Sequence, residues 1–289
     1  MIEALIFLKV LEQIAKEKKE FGKGAGKPTF RQKISATVRN AVNITRNAVD
    51  NTAGYGIAKY QNRKTRRDFK QNPARKDKIV YLMHGILQNE GSQWRLGKQL
   101  RKEGFEPYHL KGHHSLPRKQ DADKAFEQID DFQKDTKLKN PSKRSDHFSG
   151  HSSGADIGIY MAGDKRIKKY GIGRVQARAP APYGIKSRSL GQKLIIPFAP
   201  ADNLKKVAGK KQAIETVRRG KPHVPVDVVA GKYDDLIPPN EAYYKHANKH
   251  YVIDHPDSTH FGTSGGNPEM NDVFIDQLKK KPGKYKKAA

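Results

Sequence analysis

The residue in this sequence best placed for covalent chemistry is Ser152, which lies between two glycines, at 150 and 154. Residues 150–154 read Gly-His-Ser-Ser-Gly, with a short strand predicted over 146–149 and a helix over 155–162. A serine in a sharp strand-to-helix turn needs small neighbours, so Gly-x-Ser-x-Gly in this context is typical of a nucleophile elbow. Such a turn exposes the Ser152 hydroxyl and aims the first helical N–H groups at the same spot. The five residues alone fit a small-residue turn before a helix as well, so other residues must decide.

A serine nucleophile also needs a general base and an acid that orients the base. Downstream of Ser152, an apolar, β-rich run over 224–231 leads into a loop that carries Asp234. A second short strand, predicted over 249–254, leads into a loop that carries His260. Because the carboxyl ends of parallel strands meet at one edge of an open sheet, we expect nucleophile, acid and base to meet there.

These motifs, in the order Ser, Asp, His, resemble those of the α/β-hydrolases over residues 77–279. The loop Gly-Lys-Tyr-Asp-Asp-Leu-Ile-Pro over 231–238 resembles the acid loop of that family. The resemblance implies that Asp234 is the acid, with Asp235 as the alternative. Thr-His-Phe-Gly over 259–262 resembles the histidine loop. The fold implied is a mostly parallel sheet with helices on both faces.

The resemblance also implies an oxyanion hole. The run over 79–86 resembles the early strand of the family that ends in His-Gly, after which one backbone N–H forms half of the hole. In this chain the two donors implied are the N–H groups of Ile86 and Ser153. Three further residues flank the implied site and are candidates for substrate contact: His84, Gly85 and His151.

The stretch 185–222 is long for a connection in a compact domain. It contains an apolar run and a predicted helix over 210–219. In lipase-like members of the family, an insertion here forms a lid over the nucleophile. An ordinary crossover helix with a decorated loop explains the length equally well. If the stretch is a lid, three apolar residues are candidates for lining an acyl pocket: Ile195, Ile196 and Phe198.

The activity implied is hydrolysis of a carboxylic ester, esterase- or lipase-like, through an acyl-enzyme on Ser152. Amide, thioester or acyl-transfer chemistry would use the same triad. The mechanism needs no cofactor, and the expected substrate is an ester, with lipids among the candidates. We assign no metal: the chain has no cysteine and no His-Glu-x-x-His. The pair His113-His114 and the histidines His255 and His260 lack the ligand spacing that is typical of zinc.

Strands alternate with helices through the rest of the domain, which predicts a parallel sheet. Helices are expected over 92–103 and 121–137, and strands over 105–110 and 174–179. Two arginines interrupt the last of these strands, Arg174 and Arg178.

The N-terminal residues have a different character. Apolar residues recur at helical spacing over 1–20 and 31–50, and Gly54 and Gly56 are expected to interrupt the second helix. Either these helices pack on the core domain, or they form an amphipathic anchor for a membrane or a partner. The predicted organisation has three parts: a basic helical extension over 1–75, a hydrolase domain over 76–279 and a basic tail over 280–289.

The charge balance favours anionic partners. There are 57 Lys and Arg against 30 Asp and Glu, a formal net charge of +27. Such a chain attracts phospholipid or nucleic acid surfaces. No helix-turn-helix, RNP or zinc-finger pattern occurs, so nucleic acid is not expected as the main partner. The alternative to an enzyme is a non-catalytic, basic, membrane- or nucleic-acid-associated protein on the same fold.

The compartment and the assembly are less constrained. The start of the chain lacks the features of a signal peptide, and no apolar run of about 18 residues predicts a membrane span. The lack of cysteine fits a reducing compartment. We therefore expect a cytoplasmic protein, with peripheral association at a membrane left open. The sequence does not predict the oligomeric state.

Overall fold

The sheet has six strands, and every neighbouring pair is parallel. The structure is a computed structural model that describes residues 26, 28–86, 88–113, 116–185 and 210–280. The order across the sheet is β2-β1-β3-β4-β5-β6. The strands are β1 Ile79–Met83, β2 Glu106–Leu110, β3 Asp146–His151, β4 Ile172–Arg178, β5 Val226–Gly231 and β6 Lys249–Ile253. The mostly parallel sheet expected from the sequence is confirmed.

Helices connect the strands and precede the first one. The helix Lys210–Arg219 is found where the sequence predicts it, and it packs on the helix Ser153–Ala162 and its surroundings: Arg219 lies over the ring of Tyr160, and Thr216 Oγ1 donates to Pro182 O at 2.7 Å. The α-helices are α1 Phe30–Gln71, α2 Trp94–Lys102, α3 Arg118–Asp135, α4 Ser153–Ala162, α5 Arg166–Lys169, α6 Lys210–Arg219 and α7 Pro268–Lys279. Within the described residues, no helix combines the length and the hydrophobicity needed to cross a bilayer.

The two faces of the sheet differ in chemistry because side chains alternate along each strand. On one face the main hydrophobic core packs between the strands and α3 and α4, and includes the buried Phe148 and Val175. On the other face a smaller apolar cluster lies between β1, α2 and α7. Beside that cluster runs a row of buried polar side chains: His147, Ser149 and His151 from β3, and Arg174, Gln176 and Arg178 from β4.

The arginines within β4 are buried, and the fold supplies acceptors for Arg174 and for one nitrogen of Arg178. Within the described residues, Nε and Nη2 of Arg178 have no hydrogen-bond partner. Arg174 donates from Nε to Asp227 Oδ2 at 2.7 Å and from Nη1 to Lys280 O at 2.7 Å. Arg178 donates from Nη1 to Thr263 O at 2.9 Å, and burial lowers the pKa of its guanidinium to about 9. Strand β4 therefore forms despite two charges in its sequence.

The expected interruption at Gly54 and Gly56 is wrong, because α1 continues without a break over 42 residues to Gln71. Gly54 marks a crossing point instead. A Cβ there would lie 2.3 Å from Trp94 Cδ1 and 2.6 Å from Gly91 O, so only glycine lets the helix approach that loop. The capping box of Thr29 and Gln32 defines the start of the helix.

Helix α1 packs on the domain mainly through polar residues, with the buried Ala58 and Phe69 beside them. The polar residues buried there are Asn43, Asn47, Asp50, Gln61 and Thr65. The apolar residues whose spacing predicted the helix, among them Val38, Val42 and Val49, are exposed instead. The periodicity therefore predicts the helix correctly, but it does not identify the side that packs.

The second half of α1 covers the β2 edge of the sheet. Asn62 Nδ2 donates to His109 O at 2.8 Å, and the His109 N–H donates to Asn62 Oδ1 at 2.7 Å. Thr65 Oγ1 donates to Pro107 O at 2.8 Å. These side chains satisfy backbone groups of β2 that an edge strand would otherwise expose to another chain.

Several sequence predictions fall outside the described residues. These are the helix over 1–20, most of the basic tail, and the three candidates for an acyl pocket, Ile195, Ile196 and Phe198.

Candidate active site

Ser152 occupies a sharp turn between β3 and α4. Its backbone has φ 53° and ψ −123°, a conformation that is strained for a residue with a side chain. Its N–H donates to Arg178 O at 2.8 Å, which holds the turn at the end of β4. A Cβ at position 150 would lie 2.3 Å from Gly154 O, and one at position 154 would lie 2.4 Å from His84 O. The two glycines therefore let strand, helix and the loop after β1 meet behind Ser152.

The three residues predicted as nucleophile, base and acid are brought together in one line. His260 Nε2 lies 3.1 Å from Ser152 Oγ, and His260 Nδ1 lies 2.9 Å from Asp234 Oδ2. Both Asp234 and His260 are buried. Asp234 Oδ1 accepts from the N–H groups of Leu236 at 3.0 Å and Ile237 at 2.7 Å. Those bonds fix the carboxylate so that its other oxygen faces the imidazole, which places the proton on Nδ1 and leaves Nε2 as acceptor for the serine.

The neighbouring carboxylate at position 235 is placed differently. Asp235 is exposed, and among the described residues Asp234 is the carboxylate that bonds to the His260 ring. Desolvation and the charge of Asp234 raise the pKa of Asp235. The geometry thus favours Asp234 over Asp235 as the partner of the His260 ring.

The loop after β1 lies against the nucleophile. A Cβ added to Gly85 would be 2.9 Å from Ser152 Cβ. His84 holds this loop through both ring nitrogens. Its Nε2 accepts from Gly112 N–H at 3.1 Å, and because a neutral ring carries its one proton on the other nitrogen, its Nδ1 donates to Gly85 O at 2.9 Å. Burial lowers the pKa of His84, in keeping with a neutral ring. Ile86, the first candidate for an oxyanion donor, is the next residue after Gly85 and so lies close to Ser152.

The second oxyanion candidate begins helix α4. Ser153 follows the nucleophile, and its Oγ accepts from Arg118 Nη1 at 2.9 Å. Arg118 also donates to Asp156 Oδ2 at 3.4 Å, and Asp156 Oδ1 accepts from the N–H of Ala181 at 2.8 Å. These contacts fix the first turn of the helix, whose N-terminus points to the nucleophile and favours negative charge there.

His151 joins the elbow to the two loops around it. Its Nε2 lies 2.9 Å from His260 O, and its Nδ1 lies 3.1 Å from Gln88 Oε1. Burial and the neighbouring charges of His260 and Arg178 hold the pKa of His151 well below its ordinary value. The ring is therefore neutral, and it holds the main chain of His260.

Three residues of the site were missed by the sequence reasoning. Gln88 Oε1 accepts from Gly85 N–H at 2.8 Å, and Gln88 Nε2 donates to Asn47 Oδ1 at 2.8 Å. Asn43 Nδ2 donates to Thr259 Oγ1 at 3.2 Å, next to His260. The available signal was the spacing of Asn43 and Asn47, four residues apart on a helix, which marks a polar stripe.

One group of side chains has the arrangement of cation ligands. Ligand atoms of His255, Asp257 and Glu269 lie within 4.8 Å of one another, at partly exposed positions. Arg39 Nη1 already donates to Asp257 Oδ2 at 2.9 Å, which neutralises the carboxylate that a cation would need. In the part of the chain that the structure describes, no hydrogen bond or ion pair joins this group to Ser152.

Comparisons with known proteins bear on the fold. No family model and no curated protein sequence matches the chain. Among solved structures, an esterase from Pyrococcus furiosus superposes with a TM-score of 0.50 at 17% identity, over 72% of this chain and 84% of the esterase. Lipase B of Aspergillus fumigatus superposes with a TM-score of 0.55 at 14% identity, over 74% of this chain.

The chain has the α/β-hydrolase fold. Its alignment covers 54% of the fungal lipase, so the chain spans about half the length of that protein. Within the α/β-hydrolase fold, Ser152, Asp234 and His260 each follow a strand at the carboxyl edge of the sheet.

Proposed function

We propose that this protein is a serine hydrolase that cleaves carboxylic esters. The observation that carries the proposal is the line of contacts from Ser152 Oγ to His260 Nε2 at 3.1 Å and from His260 Nδ1 to Asp234 Oδ2 at 2.9 Å. The solved structures most relevant by superposition are called an esterase and a lipase, which supports the ester as substrate class.

The first half of the reaction acylates the serine. Ser152 Oγ attacks the ester carbonyl carbon while His260 Nε2 takes the hydroxyl proton. Asp234 stabilises the resulting imidazolium, because its carboxylate is already fixed by two backbone N–H groups. His260 then gives the proton to the leaving alkoxide, which departs as an alcohol and leaves an ester on Ser152.

The second half releases the acid. A water molecule loses its proton to His260 and attacks the acyl carbonyl, and Ser152 Oγ leaves as the proton returns to it. In both halves the carbonyl oxygen becomes negative. The N–H groups of Ile86 and Ser153 are the proposed donors to that oxyanion, and losing one such donor typically costs about 3–4 kcal/mol of barrier.

The proposal is tested by hydrolysis of p-nitrophenyl esters with acyl chains of two to twelve carbons. We expect turnover that Ser152→Ala and His260→Ala abolish while circular dichroism shows both variants folded. A folded wild-type chain without turnover on any ester, but with turnover on anilides or thioesters, would reassign the substrate class. Equal turnover by Ser152→Ala would contradict the mechanism.

A further inference from the structure

The outward face of α1 is apolar although it covers nothing in the described structure. Every large hydrophobic side chain that is exposed in the described part of the chain belongs to this helix: Val38, Val42, Ile44, Val49, Tyr55, Ile57 and Tyr60. Apolar residues are normally scattered singly over a surface, so their concentration on one element indicates a contact surface.

Four of these residues form a continuous line. Val38, Val42, Val49 and Tyr60 are separated by four, seven and eleven residues, each close to a whole number of helical turns. We call them the apolar stripe. Their exposed fractions are 62%, 53%, 52% and 63%. At about 1.5 Å per residue the stripe is roughly 33 Å long.

A shallow groove runs along the first half of the stripe. It has a volume of about 460 Å³, and the described residues that line it belong to α1: Ala41, Val42, Thr45, Arg46 and Val49. Because the side chains of Ala41 and Thr45 are small, Val42 and Val49 project beyond them at the surface of the helix. Such a surface accepts a flexible apolar group, such as an acyl chain, without rearrangement of the helix.

Cationic side chains extend the stripe beyond Tyr60. Arg63 and Arg67 follow at intervals of three and seven residues on the same side of the helix, and both are exposed. Lys59 is exposed beside them, with its Nζ 4.3 Å from the centre of the Tyr55 ring. Arg63 makes no ion pair within the described residues. The surface is thus apolar at one end and both aromatic and cationic at the other.

The combination of apolar and cationic side chains on this face discriminates between the possible binding partners. A second copy of the chain would bring the same cations, and a net charge of +27, against themselves. Nucleic acid would satisfy the cations but would leave the valines in water. An anionic phospholipid surface satisfies both, because phosphates meet the arginines and the headgroup–acyl boundary takes the valines and tyrosines.

We propose that the outward face of α1 adsorbs to an anionic phospholipid surface. The opposite face of the same helix holds the loops of the candidate active site, through Asn43 to Thr259 and Asn47 to Gln88. A helix is about 10 Å across, so adsorption keeps that site close to the lipid. The binding itself does not depend on the proposed function.

The test is sedimentation of the full chain with vesicles of phosphatidylcholine alone and with 30% phosphatidylglycerol. We expect binding to the anionic vesicles only. Val42→Asn/Val49→Asn should weaken it tenfold or more without a change of charge. Arg63→Glu/Arg67→Glu should weaken it at least as much.

The matched control is Lys139→Glu/Lys143→Glu, which makes the same change of net charge on exposed lysines of the loop before β3. It should weaken binding less than threefold. Thermal unfolding checks that each variant is folded, and this readout holds whether or not the protein turns over esters.

Three results would overturn the proposal. One is a wild-type chain that does not sediment with anionic vesicles. Another is a loss of binding in the lysine control equal to that in the stripe variants, which would mean diffuse charge attraction. The third is a wild-type dimer in light scattering that Val42→Asn/Val49→Asn converts to monomer, which would make a second copy the occupant.

Discussion

Asn47 Oδ1 accepts a hydrogen bond from Gln88 Nε2 at 2.8 Å, and this pair couples the long N-terminal helix to the loop beside the nucleophile. Because the amide nitrogen of Gln88 is held by Asn47, its oxygen faces Gly85 N–H at 2.8 Å and His151 Nδ1 at 3.1 Å. One side chain of α1 therefore sets the orientation of an amide that contacts both the loop after β1 and the elbow.

The role of Asn47 as an acceptor predicts a contrast between two variants. Asn47→Leu removes the acceptor and frees the Gln88 amide to turn, so we expect kcat/KM for an ester to fall about tenfold, mainly in kcat. Asn47→Asp keeps an oxygen at the same place and should retain activity within threefold. Steady-state kinetics on one soluble ester measure both.

A control on the same helix separates positioning from stability. Asn62→Leu removes the two bonds to the His109 backbone at the far end of α1. We expect it to lower the unfolding temperature but to leave kcat/KM near the wild-type value. Equal kinetic losses in Asn47→Leu and Asn47→Asp would show that Asn47 does not act as an acceptor.

The two adjacent carboxylates predict opposite outcomes. Asp234→Asn presents an amide to His260 Nδ1, which disfavours the tautomer that the base requires, and a drop of about 10⁴ in kcat is typical of such a change. Asp235→Asn should change kcat less than threefold, because its exposed side chain does not hold the imidazole. Should Asp235→Asn be the inactive variant, the assignment of the acid is wrong.

The two glycines of α1 predict stability changes of opposite sign. A Cβ at position 56 meets no atom within 4 Å, so Gly56→Ala should stabilise the helix by about 0.5–1 kcal/mol. A Cβ at position 54 would overlap Trp94 and Gly91 O, so Gly54→Ala should destabilise by about 1–3 kcal/mol. Urea denaturation measures both, and equal effects would contradict the close crossing of the helix and the loop.

The burial of His147 makes the free energy of unfolding depend on pH. Burial and the charges of Lys78 and Arg174 lower the pKa of His147 to about 3. Its ring nitrogens have no hydrogen-bond partner in the described structure. The unfolded chain has a pKa of about 6.5 at this residue. Below pH 6.5 the unfolded state therefore gains a proton that the folded state lacks, and the free energy of unfolding decreases as pH falls towards 3.

Replacing this histidine should flatten that dependence. We expect His147→Leu to reduce the loss of unfolding free energy between pH 7.5 and pH 5. The slope of that free energy against pH should fall by the equivalent of up to one bound proton. Urea denaturation at several pH values measures it, and the values above pH 7.5 serve as the internal reference because both side chains are neutral there. An unchanged slope would mean that His147 titrates normally in the fold.

Much of the site was predictable because its chemistry imposes local patterns. The elbow needs glycines at 150 and 154, and the acid and the base must follow strands, so the motifs around Ser152, Asp234 and His260 are readable in one sequence. The parallel sheet was predictable for the same reason. Apolar residues recur with a different period in strands and in helices, so the alternation of the two can be recognised in the sequence.

The contacts between distant segments were not predictable. Gln88 lies in a loop without a motif, and its role depends on Asn47, which is 41 residues away and bonded through a fold that must exist first. The side on which α1 packs was not predictable for a related reason. Hydrophobic spacing normally identifies the buried side of a helix, but here the neighbouring loops offer hydrogen-bonding groups, and those pair with the asparagines.

Labelling with a fluorophosphonate probe tests whether the serine at position 152 is activated. We expect a covalent adduct on the peptide that contains Ser152, absent in Ser152→Ala and strongly slowed in His260→Ala, because phosphonylation requires the base. An adduct on another residue, or no adduct on a chain shown to be folded by circular dichroism, would contradict this expectation.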